Sequence, residues 1–125
     1  MICDTTFLSD LIHEREVGRR GPAAHFLAAH RRLPFYTTVI SVGEIAAMYD
    51  SVDEARRLLA RYRQFRLTPE IALVAAAIDH ELIQAGARLG ENDNWIAGFC
   101  RYYGQSIISR GAAFDRVRGL RRMRY

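Results

Sequence analysis

An α/β fold with a short central parallel sheet, covered by helices on both faces, is predicted for this chain by three observations. Short apolar, β-branched or aromatic stretches alternate with segments of helical periodicity. Parallel neighbours need crossover connections, and the segments between the candidate strands have the length and pattern of helices. Acidic residues stand just past predicted strands, where open sheets of this class carry their functional crevice. The 125 residues fit one domain spanning 1–125, with enough apolar content for one core.

Met1-Ile2-Cys3 reads as a buried strand, and Asp4-Thr5-Thr6 offers side-chain oxygens to cap a helix over Phe7–Ile12. Gly18–Pro22 is a turn, after which Pro22 suits the first turn of a helix whose apolar face carries Ala23, Phe26, Leu27 and His30. Leu33-Pro34 closes that helix. Phe35–Ile40 is a strand by its β-branched and aromatic content, and Ser41 is expected to cap the next helix, with Glu44 in its first turn. Val52–Gln64 reads as an amphipathic helix with Ala55, Leu58, Leu59 and Tyr62 inward and Arg56, Arg57, Arg61 and Arg63 outward. Phe65–Thr68 is a short strand, and Thr68-Pro69-Glu70 starts a long helix that runs through Ala85 and ends at Gly86. Asp93 is expected to open a helix through Tyr102, stopped by Gly104. Gln105–Ser109 is a strand, Arg110–Asp115 a loop or single turn, and Arg122–Tyr125 a last strand.

Net charge is +4 and the pI about 9.5, a modest excess that favours polyanions. All 18 basic residues are arginine. Cys3 and Cys100 lie in apolar contexts and read as small buried hydrophobes rather than a disulfide, which points to a reducing, cytoplasmic setting. No secretory signal opens the chain, and the longest apolar run, Ile71–Ile78, is less than half the roughly 20 residues a membrane span needs. His13, His25, His30 and His80 lack zinc-site spacing, and neither a phosphate-binding glycine loop nor a Gly-x-Ser-x-Gly elbow occurs.

The chemistry rests on Asp4, Glu44 and Asp93. Each lies in or beside a short apolar stretch, where an isolated carboxylate is costly to bury. A shared divalent cation offsets that cost, and Mg²⁺ or Mn²⁺ prefers such hard oxygen donors. The expected reaction is phosphodiester hydrolysis, in which a cation polarises the phosphate and acidifies a water. The same residues have a plainer explanation: Asp4 and Asp93 as helix caps, and Glu44 as the partner of an arginine.

Four segments in order resemble the PIN-domain ribonucleases, specifically the VapC-type toxins of bacterial and archaeal toxin–antitoxin pairs. They are Ile2-Cys3-Asp4-Thr5, Ser41-Val42-Gly43-Glu44-Ile45, Asn92-Asp93-Asn94-Trp95-Ile96-Ala97, and Ile107-Ile108-Ser109-Arg110 followed by Phe114–Leu120. The resemblance spans nearly the whole chain. It implies a PIN-like three-layer α/β/α fold and Mg²⁺- or Mn²⁺-dependent RNA cleavage by Asp4, Glu44 and Asp93 acting as metal ligands. It also implies a small VapB-like antitoxin that blocks the site, and a homodimer within a larger toxin–antitoxin assembly. One position departs: two residues after Ser109 the family usually has Asp or Asn, and this chain has Gly111. That leaves a second reading, a PIN-domain binding protein with weakened or lost catalysis, and a third, a nuclease of DNA junctions.

Thr5 and Ser109 carry hydroxyls that orient a ligand or water, or else only bond strand ends and caps. Arg110, Arg116 and Arg118 are candidates for RNA binding in a tail that also holds Arg121, Arg122 and Arg124, a stretch that serves equally as a charged edge strand. Tyr62, Phe65, Trp95, Tyr102 and Tyr103 fall mainly on apolar faces, where core packing is expected over base stacking.

Overall fold

The computed structural model describes residues 1–125. Five short parallel strands form one sheet in the order β3-β2-β1-β4-β5: β1 Ile2–Cys3, β2 Tyr36–Thr38, β3 Arg63–Phe65, β4 Ile107–Ile108 and β5 Arg122–Met123. Six helices lie between them: α1 Thr5–Glu16, α2 Pro22–Ala29, α3 Val39–Ala47, α4 Val52–Leu59, α5 Pro69–Gln84 and α6 Glu91–Tyr103. A 3₁₀ turn over Ala112–Arg116 joins β4 to β5.

Strand alternation sorts the core into two halves. Ile2 and Ile107 face one side and pack with Ile71, Ile78, Ile96 and Phe99 from α5 and α6. Cys3 and Ile108 face the other and pack with Phe7, Leu8, Phe26, Ile45 and Leu59 from α1 to α4. The result is the expected three-layer α/β/α arrangement. The layer of α5 on α6 is especially close: a Cβ on Gly98 would stand 2.8 Å from the Ala75 Cβ, so only glycine fits there. Cys3 and Cys100 are both buried and free, and burial pushes both thiols well above the ordinary range.

Several boundaries differ from the sequence expectation. Val39 and Ile40 belong to α3 rather than β2, because Thr38 is the cap: its hydroxyl oxygen accepts from the Ser41 N–H at 3.2 Å. Ser41 is therefore inside the helix and Glu44 lies in its second turn. The amphipathic helix α4 ends at Leu59, and Arg63 and Gln64 enter the edge strand β3, paired to Tyr36 and Thr37. Exposed polar side chains suit an edge and disfavour further pairing there. Gly90, not Asp93, caps α6, which places Asp93 at the third helical position.

At the start of α2, Gly21 has no side chain to cap with, and Glu14 of α1 reaches across instead. Its carboxylate accepts from the Ala23 and Ala24 N–H groups at 3.0 and 2.8 Å. Burial works against the anion, but these backbone donors outweigh it and hold the carboxyl below its ordinary value.

Candidate metal centre

In the order β3-β2-β1-β4-β5 the chain reverses direction of travel between β1 and β4, so the crevice opens past the carboxyl ends of those two strands. Asp4 follows β1 and Ser109 follows β4 at that point. The Asp4 backbone N–H donates to the Ile108 carbonyl at 3.2 Å, which fixes one against the other.

Asp4 is only 3% exposed. Its Oδ1 accepts from the Phe7 N–H at 2.8 Å, and the Thr6 hydroxyl lies 2.8 and 2.9 Å from its two oxygens. Asp4 is thus a helix cap, as the plainer explanation held. Burial nevertheless raises its pKa; hydrogen bonds from Ser109, Phe7 and Thr6 oppose that, and the charge of Asp10 adds to the rise.

Asp93 is partly buried, and its pKa is raised first by burial and then by the charges of Asp4 and Glu44. Those two couplings place the three acids in one electrostatic neighbourhood. Glu44 is tied to both ends of it: the Thr5 hydroxyl donates to Oε2, and the Asn92 amide donates to Oε1 at 2.8 Å. Each donor sits next in sequence to one of the other acids.

None of the six ion pairs in the protein involves Asp4, Glu44 or Asp93. The expectation of an arginine partner for Glu44 therefore fails, and so does capping as a full account of Asp93, which makes no cap bond. No group of three or more His, Cys, Asp or Glu side chains closes into a ready-made metal cage. A hard divalent cation does not require one, because Mg²⁺ takes one or two carboxylates and completes its shell with waters and phosphate oxygens. An all-oxygen donor set, carrying repelling and unneutralised charge, fits such an ion.

Of the two candidate hydroxyls, that of Thr5 is bonded to Glu44, whereas Ser109 Oγ accepts from the Gly111 N–H at 2.9 Å and acts on Asp4 only by lowering its pKa. Gly111 has φ −67° and ψ 110°, an extended backbone open to any residue, so its lack of a carboxylate is not a conformational requirement.

The three candidate arginines separate. Arg110 lies beside the site, where its guanidinium forks onto Asp10 of α1. Arg116 reaches the Arg88 carbonyl at 3.4 Å. Arg118 lines a hollow of about 220 Å³ with Arg101, Gln105, Ser106 and Arg121 at the amino ends of the strands, the pole away from the acids. Sequence reasoning gave no role to Asp10, gave Thr6 only a capping role, and placed Asn92 only within a family-like segment. Only Asn92, adjacent to Asp93 in a polar run before an apolar helix, carried a local signal.

A second, apolar depression of about 280 Å³ lies on the face of α1, α2 and α4. Leu11, Ile12, Leu27 and Leu58 contribute to its floor, with Arg15 and Arg61 on its border, and none of the three acids lines it.

The family model for the PIN domain matches residues 1–120. Among solved structures, the chain is similar to VapBC2 from Rickettsia felis bound to a DNA fragment from its promoter. The identity is 14%, the TM-score 0.83, and the match covers 99% of this chain and 97% of that one. A toxin–antitoxin complex from Klebsiella pneumoniae is 22% identical with TM-score 0.74, covering 95% and 93%. VapBC-1 from nontypeable Haemophilus influenzae is 19% identical with TM-score 0.74, covering 98% and 96%. No curated protein matches the chain.

Proposed function

The chain belongs to the PIN domain family, and on that premise we propose that it is a Mg²⁺- or Mn²⁺-dependent endoribonuclease, the VapC-type toxin of a type II toxin–antitoxin pair. The observation that carries the reading is the set of three acids without a basic partner beside the β1–β4 crevice.

Asp4, Asp93 and Glu44 are the oxygen donors that would hold the ion. When bound, it supplies Lewis-acid polarisation of the scissile phosphate and a more acidic water. The remaining work belongs to the protein. Asp4 is fixed by the Phe7 N–H and Thr6, so it does not swing when substrate arrives. Glu44 is held by Thr5 and Asn92, one oxygen on each, which fixes its carboxylate in place. Burial of Asp4 and Asp93 limits bulk water around the reacting group, and their unneutralised charge keeps a phosphate from sitting directly against them unless a cation intervenes, while leaving the rest of the RNA path open.

The partner in this reading is a small acidic VapB-like antitoxin. The depression on α1, α2 and α4, apolar within and bordered by Arg15 and Arg61, suits an acidic amphipathic segment. A homodimer joined in a larger toxin–antitoxin assembly, in the cytoplasm, completes it. No helix is long and apolar enough to cross a membrane.

The test is cleavage of a structured RNA pool with Mg²⁺, with chelator, and by Asp93→Asn. Cutting that needs both the cation and Asp93 supports the proposal; equal cutting by the variant refutes it. Gly111 favours one alternative, a binding protein of the same fold with weakened catalysis, which would bind the RNA pool and leave it intact. Preferential cutting of DNA junctions in the same assay would instead indicate a DNA nuclease.

A further inference from the structure

Arg110 stands exposed at the acid-lined end of the sheet. It lies two residues past Ile108, whose carbonyl accepts from the Asp4 N–H, and its side chain crosses to α1. There Nε lies 2.9 Å from Asp10 Oδ2 and Nη2 lies 3.1 Å from Oδ1, so the planar fork is matched to a carboxylate while Nη1 makes no bond within the protein. The Tyr125 hydroxyl also donates to Asp10 Oδ2, at 2.7 Å, and fixes the acid that receives the fork.

We propose that Arg110 is a phosphate-binding residue on the RNA path into the acid site, held on Asp10 in the free protein as a stand-in for a substrate phosphate. The identity of the ligand as RNA rests on the nuclease reading above. Carboxylate and phosphate present paired oxygens of similar geometry to a guanidinium, so the fork made to one can be made to the other. Exposure makes the exchange feasible: the Arg110 side chain is 61% exposed and that of Asp10 27%, the regime in which ion pairs hold weakly.

The neighbouring arginines lack this combination: Arg124 is exposed but meets Asp115 at a single 3.5 Å contact and forms no fork. Arg122 is buried, with its side chain 3% exposed, and is spent on Asp115 and the Ser109 carbonyl. Arg118 and Arg121 line the hollow at the far pole.

The test is fluorescence anisotropy with a labelled single-stranded RNA, in chelator so that nothing is cut, across a salt series, with melting temperatures recorded for every variant. Arg110→Gln should weaken binding about fivefold and reduce the magnitude of the salt slope by about 0.7, the signature of one lost phosphate contact on a single strand. Arg110→Lys should restore the slope. Asp10→Asn, which releases the guanidinium and removes an anion, should bind at least as tightly as the wild type, and Arg121→Gln should bind as the wild type does.

An unchanged slope in Arg110→Gln overturns the proposal. So does equal weakening by Arg110→Gln and Asp10→Asn, which would make the pair a tie between loop and helix. Wild-type protein that binds RNA with these variant effects yet does not cut it with Mg²⁺ sinks the nuclease reading and leaves Arg110 standing. Wild-type protein that does not bind RNA sinks Arg110.

Discussion

The acids at the β1–β4 crevice and three arginine-paired acids on the surface have opposite environments. Asp79, Glu81 and Asp115 are each forked by an arginine, Arg88, Arg101 and Arg122, and hydrogen bonding from that guanidinium is the main reason their pKa values fall. Asp4 and Asp93 shift upward, chiefly through burial, and no arginine of the 18 answers them. A chain with basic residues in excess could neutralise two more carboxylates cheaply. Other acids also lack an arginine, but they are exposed or, like Glu14, held by backbone donors; burial without such a partner, with Glu44 nearby, is what sets Asp4 and Asp93 apart and what the proposed cation would offset.

The largest expected effect breaks that contrast at its centre. Asp93→Asn should lower Mg²⁺-dependent RNA cleavage by about 100-fold or more, since one charged donor is gone. In chelator the same variant should melt no lower than the wild type, because it loses repulsion from Asp4 and Glu44 and gives up no ion pair. A clear fall in melting temperature would mean that Asp93 has a stabilising partner after all.

Arg122→Gln probes the other region. It removes the bonds to Asp115 and to the Ser109 carbonyl from a side chain that is 3% exposed, and should destabilise by about 1–3 kcal/mol, read from denaturant unfolding. Cleavage per folded molecule should remain. Gly111→Asp adds an acid next to the crevice on a backbone that accepts it, at the cost of a small shift of Ser109 Oγ, which would lie 3.2 Å from the new Cβ. Mn²⁺ affinity should tighten on the order of tenfold, because added ligand charge tunes such sites.

The smallest effect concerns Glu14, which backbone donors rather than an arginine keep ionised. Glu14→Ala should cost about 1 kcal/mol as a lost cap. Since its folded pKa is depressed, that contribution is complete above the ordinary glutamate value and disappears as pH falls through the lowered one. The stability difference between wild type and variant should therefore vanish in acid, seen as converging unfolding midpoints.

How much of this was legible in the sequence follows from how local each cause is. Asp4 past a two-residue apolar strand, with Thr-Thr behind it, carried its strand-end position and its capping role in adjacent residues. Sequence alone places the α3 start too late because Thr38 and Ser41 are both competent caps, and β-branched Val39 and Ile40 fit a strand as well as a helix. Asp93 was read as a helix opener for a similar reason: Gly90 has no side chain with which to announce a cap. The charge coupling of Asp93 to Asp4 and Glu44, the Thr5–Glu44 and Asn92–Glu44 bonds, and the fork between Arg110 and Asp10 join positions far apart in the chain, and only the sheet order brings them together. The separation of Arg118 from Arg110 is the same lesson reversed, since a basic tail looks continuous in sequence while its members end at opposite poles.

The most direct test of the cation claim is calorimetric titration of the protein with Mn²⁺, in parallel with Asp4→Asn and Asp93→Asn. Asn caps a helix as well as Asp, so the first variant should fold normally. Saturable Mn²⁺ binding by the wild type that is lost or severely weakened in both variants is the predicted result. Binding of equal strength in all three proteins, or none in the wild type, would contradict it.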